Sequence, residues 1–120
     1  MTTMLTEQNH INENNLSNLY QHLMQINQEI FADGHYKVAY HVLAAALHCA
    51  RTLGDIPGLV EVERVANEQL RWIDDRHPEY EHSTQSVSKF GYPSIYDSLA
   101  LRARARVWII QSEARQQGQE

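Results

Sequence analysis

Small residues between Gly34 and Gly54 constrain the fold of this chain more than any other feature of the sequence. Ala39, Ala46 and Ala50 recur there at helical spacing, so they fall close together on one side of a helix. Because two helices approach closely only where the side chains between them are small, this pattern predicts a central helix with neighbours packed against it.

Three further segments carry apolar residues at intervals of three and four, which is the period of a helix with one buried face. Their stripes are Leu16, Leu19, Leu23, Ile26 and Ile30 in the first segment, Leu59, Val62, Ala66, Leu70 and Ile73 in the third, and Ile95, Leu99, Ala103, Val107 and Ile110 in the fourth. No segment alternates between apolar and polar residues as a strand does. The sequence therefore predicts an all-α fold of four main antiparallel helices in a compact bundle.

The helix boundaries are marked by residues with known preferences. Asp33-Gly34 ends the first segment. Gly54 stops the second helix, and Asp55 followed by Pro57 is typical of the start of a third. Ser94 is expected to cap the fourth helix.

We interpret residues 14–117 as a single helical domain that follows a polar, flexible tail over residues 1–13. Residues 76–93 form a connector in which serine, glycine and proline interrupt the apolar pattern. The longest purely apolar run has six residues, too few to cross a bilayer, and no signal peptide is expected. Cys49 is the one cysteine, which fits a reducing compartment, so we expect a cytoplasmic protein.

A family resemblance arises in the central segment. The pattern Gly34-x-Tyr36-x-x-Ala39-x-x-x-Leu43-x-x-Ala46-Leu47-x-x-Ala50, followed by Leu53-Gly54-Asp55, resembles the second half of a tetratricopeptide repeat. The resemblance covers about residues 20–73 and implies a helical hairpin of the kind that binds other proteins. It also implies that Gly34 adopts a positive φ in the turn or allows close approach between the two helices.

The first helix departs from the family. Leu23 and Ile30 stand where the family prefers large aromatic residues, and Asn27 stands where it prefers glycine or alanine. A shift of the pattern by the family's repeat length of roughly 34 residues reveals no clear second repeat. The resemblance implies a non-enzymatic adaptor or regulatory protein.

Residues with catalytic or metal-binding chemistry are present but poorly arranged. His41 and His48 are seven residues apart, which separates them by roughly 10 Å along a helix, too far for one metal ion. Ser94 lacks the Gly-x-Ser-x-Gly context of a nucleophile. We therefore expect no enzyme, metal ion or cofactor. The alternative is a small metal-dependent enzyme that uses Asp74, Asp75, His77, Glu79, Glu81 and His82.

The net charge of -5 is unevenly distributed, since residues 1–35 contain no lysine or arginine. An acidic protein is a poor binder of nucleic acid, because phosphate contacts need a basic surface. Arg102, Arg104 and Arg106 nevertheless leave open the alternative of a nucleic-acid binder.

Three features are predicted to bind a protein or peptide partner. They are the second-helix face with Tyr36, Tyr40 and His41, the connector aromatics Phe90 and Tyr92, and the last helix with Arg102, Arg106 and Trp108.

The last helix is apolar on two sides. Trp108 lies about 100° around the helix from Val107 and forms a second apolar strip with Leu101 and Ala105. Trp beside Arg is typical of interface centres, so we expect two copies to associate through this strip as a homodimer. In the alternative, Trp108 folds over the third helix of its own chain.

Overall fold

The computed structural model of the protein describes residues 13–118. The predicted tail lies outside the described residues except for its last position, where the first helix begins. Helices account for 83% of the described residues, and no strand occurs among them, which confirms the all-α prediction.

Five helices follow one another along the described chain. They are α1 (Glu13–Ala32), α2 (Tyr36–Leu53), α3 (Ile56–Arg76), α4 (Thr84–Ser88) and α5 (Ile95–Gly118). The four long helices are those that the apolar stripes predict. The short α4 lies inside the predicted connector.

The turns between the first three helices follow from the residues at their ends. Gly34 has a φ of +88°, which confirms the predicted positive value, and Gly54 ends α2 in the left-handed conformation. The Asp55 side chain then accepts a hydrogen bond of 3.0 Å from the Gly58 N–H and so caps α3.

The long helices form two hairpins, α1 with α2 and α3 with α5, and α2 also packs against α3 and α5. The first hairpin is antiparallel, because Phe31 near the end of α1 contacts Tyr36 at the start of α2. Between hairpins, α1 and α3 run in the same direction. Tyr20 Oη donates to the Gly58 carbonyl at 3.0 Å, and Asn27, two turns further along α1, bonds to Gln69, three turns further along α3. The hairpins are therefore stacked in the same orientation.

The core lies where these helices meet, and the small residues of α2 line it. Its buried side chains include Leu43, Ala46, Ala50, Leu59, Val62, Ala66, Leu99 and Ala103. Gly58 allows a close approach, since a Cβ built on it lies 3.3 Å from the Ala50 Cβ. The prediction that small residues on α2 let neighbouring helices approach is in accord with this core.

The structure corrects the expected stripe on α1. Leu19 and Ile26 are exposed, whereas Tyr20 and Asn27 point into the protein. The helix is rotated relative to the prediction because the Tyr20 hydroxyl and the Asn27 amide both donate hydrogen bonds to buried carbonyl groups on neighbouring helices.

The connector is ordered by hydrogen bonds from its polar residues. Both carboxylate oxygens of Asp74 accept from Thr84, one from the backbone N–H at 2.8 Å and one from the hydroxyl at 2.6 Å. Ser83 caps α4, and the buried Ser94 donates to the His82 carbonyl at 2.7 Å. Ser94 Oγ also accepts from the Tyr96 N–H at 3.3 Å, as expected for a residue that caps α5.

Candidate functional site

The two apolar sides of α5 have different environments. Leu99 and Ala103 are fully buried against the rest of the protein, but Leu101 and Trp108 are 66% and 64% exposed. Trp108 is therefore not covered by α3, and the alternative in which it folds over the third helix of its own chain is wrong. The exposed side is an open groove of about 430 Å³, lined by Leu101, Arg104, Ala105, Trp108 and Ile109 and called here the outer strip.

A second concave site lies between α2 and α5, and we call it the α2–α5 cleft. It has a volume of about 190 Å³, and the buried Leu47 forms part of its apolar lining. The full lining is Leu47, His48, Arg51, Arg102, Ala105, Arg106 and Ile109. The cleft thus joins basic groups from two helices that are far apart in the sequence.

The charges of the cleft are not balanced within the described chain. Arg51, Arg102 and Arg106 line it, and no carboxylate does. The ion pairs formed by residues 13–118 involve Arg64, His77 and His82, not these three arginines. The Nε atom of Arg106 is buried and has no hydrogen-bond acceptor.

The predicted arginine trio is divided by the fold. Arg102 and Arg106 line the cleft, whereas Arg104 lies in a different groove beside Glu63 and Asp97. The three guanidinium groups therefore do not form one continuous basic face.

Aromatic residues cluster at the end of the molecule where the two hairpin turns lie. The Tyr36 ring centroid is 4.9 Å from that of Phe31, 5.6 Å from that of Trp72 and 5.6 Å from that of Tyr80. The fully buried Tyr96 donates its hydroxyl to the Tyr36 carbonyl at 2.8 Å, and burial raises the pKa of this phenol.

The other predicted partner-binding residues occupy separate places. Tyr40 is half-buried, with its ring centroid 5.7 Å from that of Tyr96, and His41 beside it is exposed. Phe90 is 75% exposed on the connector, and Tyr92 is exposed as well. The predicted residues are thus not brought together into one site, and those on α5 are divided between the cleft, with Arg102 and Arg106, and the outer strip, with Trp108.

Some of the acidic and histidine residues from Asp74 to His82 contact neighbours along the chain, although His82 Nε2 has no hydrogen-bond partner within residues 13–118. Asp74 binds Thr84, His77 Nδ1 lies 3.3 Å from Glu79 Oε1, and His82 Nε2 lies 3.5 Å from Glu81 Oε1. Within the described part of the chain, no three His, Cys, Asp or Glu side chains are placed to hold one metal ion.

Two further properties bear on the candidate sites. Cys49 is buried, and burial raises the pKa of its thiol, which disfavours the reactive thiolate. No helix among residues 13–118 is both long and apolar enough to span a membrane.

Sequence reasoning missed His48 and Arg51 as partners of the α5 arginines. They lie three residues apart on α2, which places them on one helix face, but their approach to α5 depends on how the hairpins stack. The helical period shows which residues share one face of a helix. Which other helix packs beside that face depends on the tertiary fold.

No protein-family model matches this chain, and neither a curated protein nor a solved structure resembles it at a significant level.

Proposed function

We propose that this protein is a non-enzymatic interaction module, similar to tetratricopeptide repeats, that binds a second copy of itself through the outer strip. The observation that carries the proposal is the exposure of Leu101 and Trp108 on the side of α5 opposite the core. Trp and Arg are enriched at the centres of interfaces, and Arg104 lines the outer strip beside Trp108.

The stacking of the hairpins supports the likeness to repeat proteins. The second hairpin lies on the first in the same orientation, as successive units do in a repeat array. In such arrays a unit that is not covered by another has an open face, and α5 has such a face among residues 13–118.

The spacing along α5 supports a second copy as the occupant. Leu101 and Trp108 are two turns apart, and the small Ala105 lies between them on the same side. In an antiparallel pairing about a two-fold axis near Ala105, Leu101 of each copy lies opposite Trp108 of the other. The same pairing brings Asp97 of one copy towards the end of the other copy's α5, where Arg115 supplies the opposite charge.

The outer strip is the centre of this interface and not its whole area. A stable complex buries about 800 Å² on each partner, more than one helix face of three turns provides. Exposed residues around the outer strip are expected to form the rim. We place the protein in the cytoplasm because its one cysteine is a buried thiol, as is usual in a reducing compartment.

Light scattering on the wild type and on two matched variants tests the proposal. At tens of micromolar the wild type is expected at twice its chain mass of 13.9 kDa. Trp108→Glu is expected at the mass of one chain, because it removes the aromatic ring at the interface centre and would require a carboxylate to lose its water there.

Phe90→Glu is the control, because it introduces the same charge at an exposed aromatic outside the outer strip. It should remain dimeric. A monomeric wild type at this concentration would contradict self-association, and a dimeric Trp108→Glu would exclude the outer strip as the interface.

A further inference from the structure

The α2–α5 cleft concentrates positive charge in an acidic protein. Three guanidinium groups and the His48 imidazole line it, although the chain carries a net charge of -5. Arg102 and Arg106 are four residues apart on α5, and like charges at this spacing destabilise a helix. The nearest acidic residue on their side of α5 is Glu113, roughly 10 Å beyond Arg106 along the axis, and it forms no ion pair with them.

Arg106 supplies the second observation. Its Nε–H is buried, and no atom of the described chain accepts a hydrogen bond from it. Buried polar groups are nearly always hydrogen-bonded, so the unpaired Nε–H shows that the Arg106 guanidinium lacks an acceptor at this atom within residues 13–118. Guanidinium groups bind oxyanions with paired hydrogen bonds in a fixed fork geometry.

The size of the cleft limits the ligand. Pockets for complete small molecules usually have volumes of about 300–1,000 Å³, and this one has about 190 Å³. It therefore suits one oxyanion group and a short apolar body, and not a nucleotide. The apolar side chains of Leu47, Ala105 and Ile109 are available to contact such a body.

We propose that the α2–α5 cleft binds a small organic phosphate, with the dianionic phosphate held by Arg51, Arg102 and Arg106. A phosphate dianion balances the charge of the three arginines better than a carboxylate does, because no Asp or Glu side chain lines the cleft. Trp108 does not line the cleft, but Ala105 and Ile109 line both the cleft and the outer strip, so the two sites are adjacent.

Titration calorimetry with phenyl phosphate, at low ionic strength in a phosphate-free buffer, tests the assignment. The wild type is expected to bind one equivalent per chain. Arg106→Gln and Arg51→Gln should each weaken binding by about tenfold or more, since each removes a charge-assisted contact. Arg51 is exposed, so its variant keeps the test valid if Arg106→Gln does not fold.

Arg104→Gln is the matched control, because it removes the same charge from the same helix but outside the cleft. It should bind within about twofold of the wild type. Inorganic phosphate and benzoate should both bind more weakly than phenyl phosphate, because one lacks the apolar body and the other the second charge.

Several results would overturn the proposal. One is the absence of wild-type binding at about 10 mM phenyl phosphate, and another is an equal loss in Arg104→Gln. Benzoate binding as tightly as phenyl phosphate would reassign the site to carboxylates. A single-stranded oligonucleotide that binds more tightly than phenyl phosphate, and that Arg104→Gln weakens equally, would identify a nucleic-acid surface instead.

Discussion

Asn27 is a fully buried polar residue that joins three helices. Its Nδ2 donates to the Ala39 carbonyl on α2 at 2.8 Å, and its Oδ1 accepts from Gln69 Nε2 on α3 at 2.7 Å. The amide therefore fixes the register of α1 against α2 and of the first hairpin against the second.

Replacing Asn27 by Leu is expected to lower the free energy of unfolding by about 1–3 kcal/mol, because the buried Gln69 amide loses its partner. Urea denaturation measures the change. The double variant Asn27→Leu/Gln69→Leu is the control, and it should recover part of the loss because neither polar group then remains unpaired. A single variant as stable as the wild type would show that the pair contributes nothing.

The role of Asn27 shows what could not be predicted from the sequence. In the sequence, Asn27 is recognisable only as a departure from the small residue that the repeat family prefers. The predicted stripe placed its neighbour Ile26 in the core, but Ile26 is exposed. Its partner Gln69 belongs to another helix, and nothing local identifies the pair. Buried polar contacts of this kind depend on the tertiary fold.

Tyr20 makes the stability of the protein sensitive to alkaline pH. Burial, with a smaller contribution from the Glu61 and Asp55 carboxylates, raises the pKa of Tyr20 from 10.0 to about 12. The folded protein therefore holds this proton more tightly than the unfolded chain does. The contribution to stability is fully present below pH 10 and is lost as the pH rises towards 12.

We expect the free energy of unfolding to fall over this range and to fall less in Tyr20→Phe, whose side chain has no proton to lose. Denaturation at a series of pH values gives the slopes. Some of the fall should persist in the variant, because burial also raises the pKa of Tyr96. Tyr92→Phe, at an exposed position, should match the wild type, and an unchanged slope in Tyr20→Phe would contradict the assignment.

At the scale of the elements, Asp74 orders the connector between α3 and α5 through its hydrogen bonds to Thr84. Asp74→Ala removes two charge-assisted hydrogen bonds to Thr84, the first residue of α4. The amides of α4 should then exchange with solvent about tenfold faster or more, since each such bond is worth roughly 1.5–3 kcal/mol.

Asp75→Ala removes the same charge from an exposed neighbour whose side chain forms no hydrogen bond within residues 13–118, and it should exchange like the wild type. Equal exchange in the two variants, measured by mass spectrometry, would show that the Asp74 bonds do not order the connector.

Helix boundaries were predictable because their signals are local. The two glycines, Gly34 and Gly54, end helices through their own positive φ, and Asp55 caps the helix that follows it. The second apolar side of α5 was also visible in the sequence, as the strip with Leu101 and Trp108. The cleft was not, because its walls come from α2 and α5, which other helices separate in the chain.

At the scale of the whole molecule, residues 13–118 form a stack of two hairpins. The lengths of these hairpins explain why the sequence of one does not superpose on that of the other. The helices of the first hairpin have 20 and 18 residues, so the pair alone exceeds the roughly 34 residues of a tetratricopeptide unit. The second hairpin contains the connector between its helices. A fixed shift along the sequence therefore cannot superpose the two hairpins.

Disulfide trapping of Ala105→Cys most directly tests the central claim that two copies pair through the outer strip. The account predicts a disulfide-linked dimer under mild oxidation, because Ala105 lies near the proposed two-fold axis and cysteines bond only when their Cα atoms are within about 7 Å. The wild type is the control, and its buried Cys49 should not cross-link. A variant that self-associates yet forms no interchain disulfide would contradict the proposed pairing.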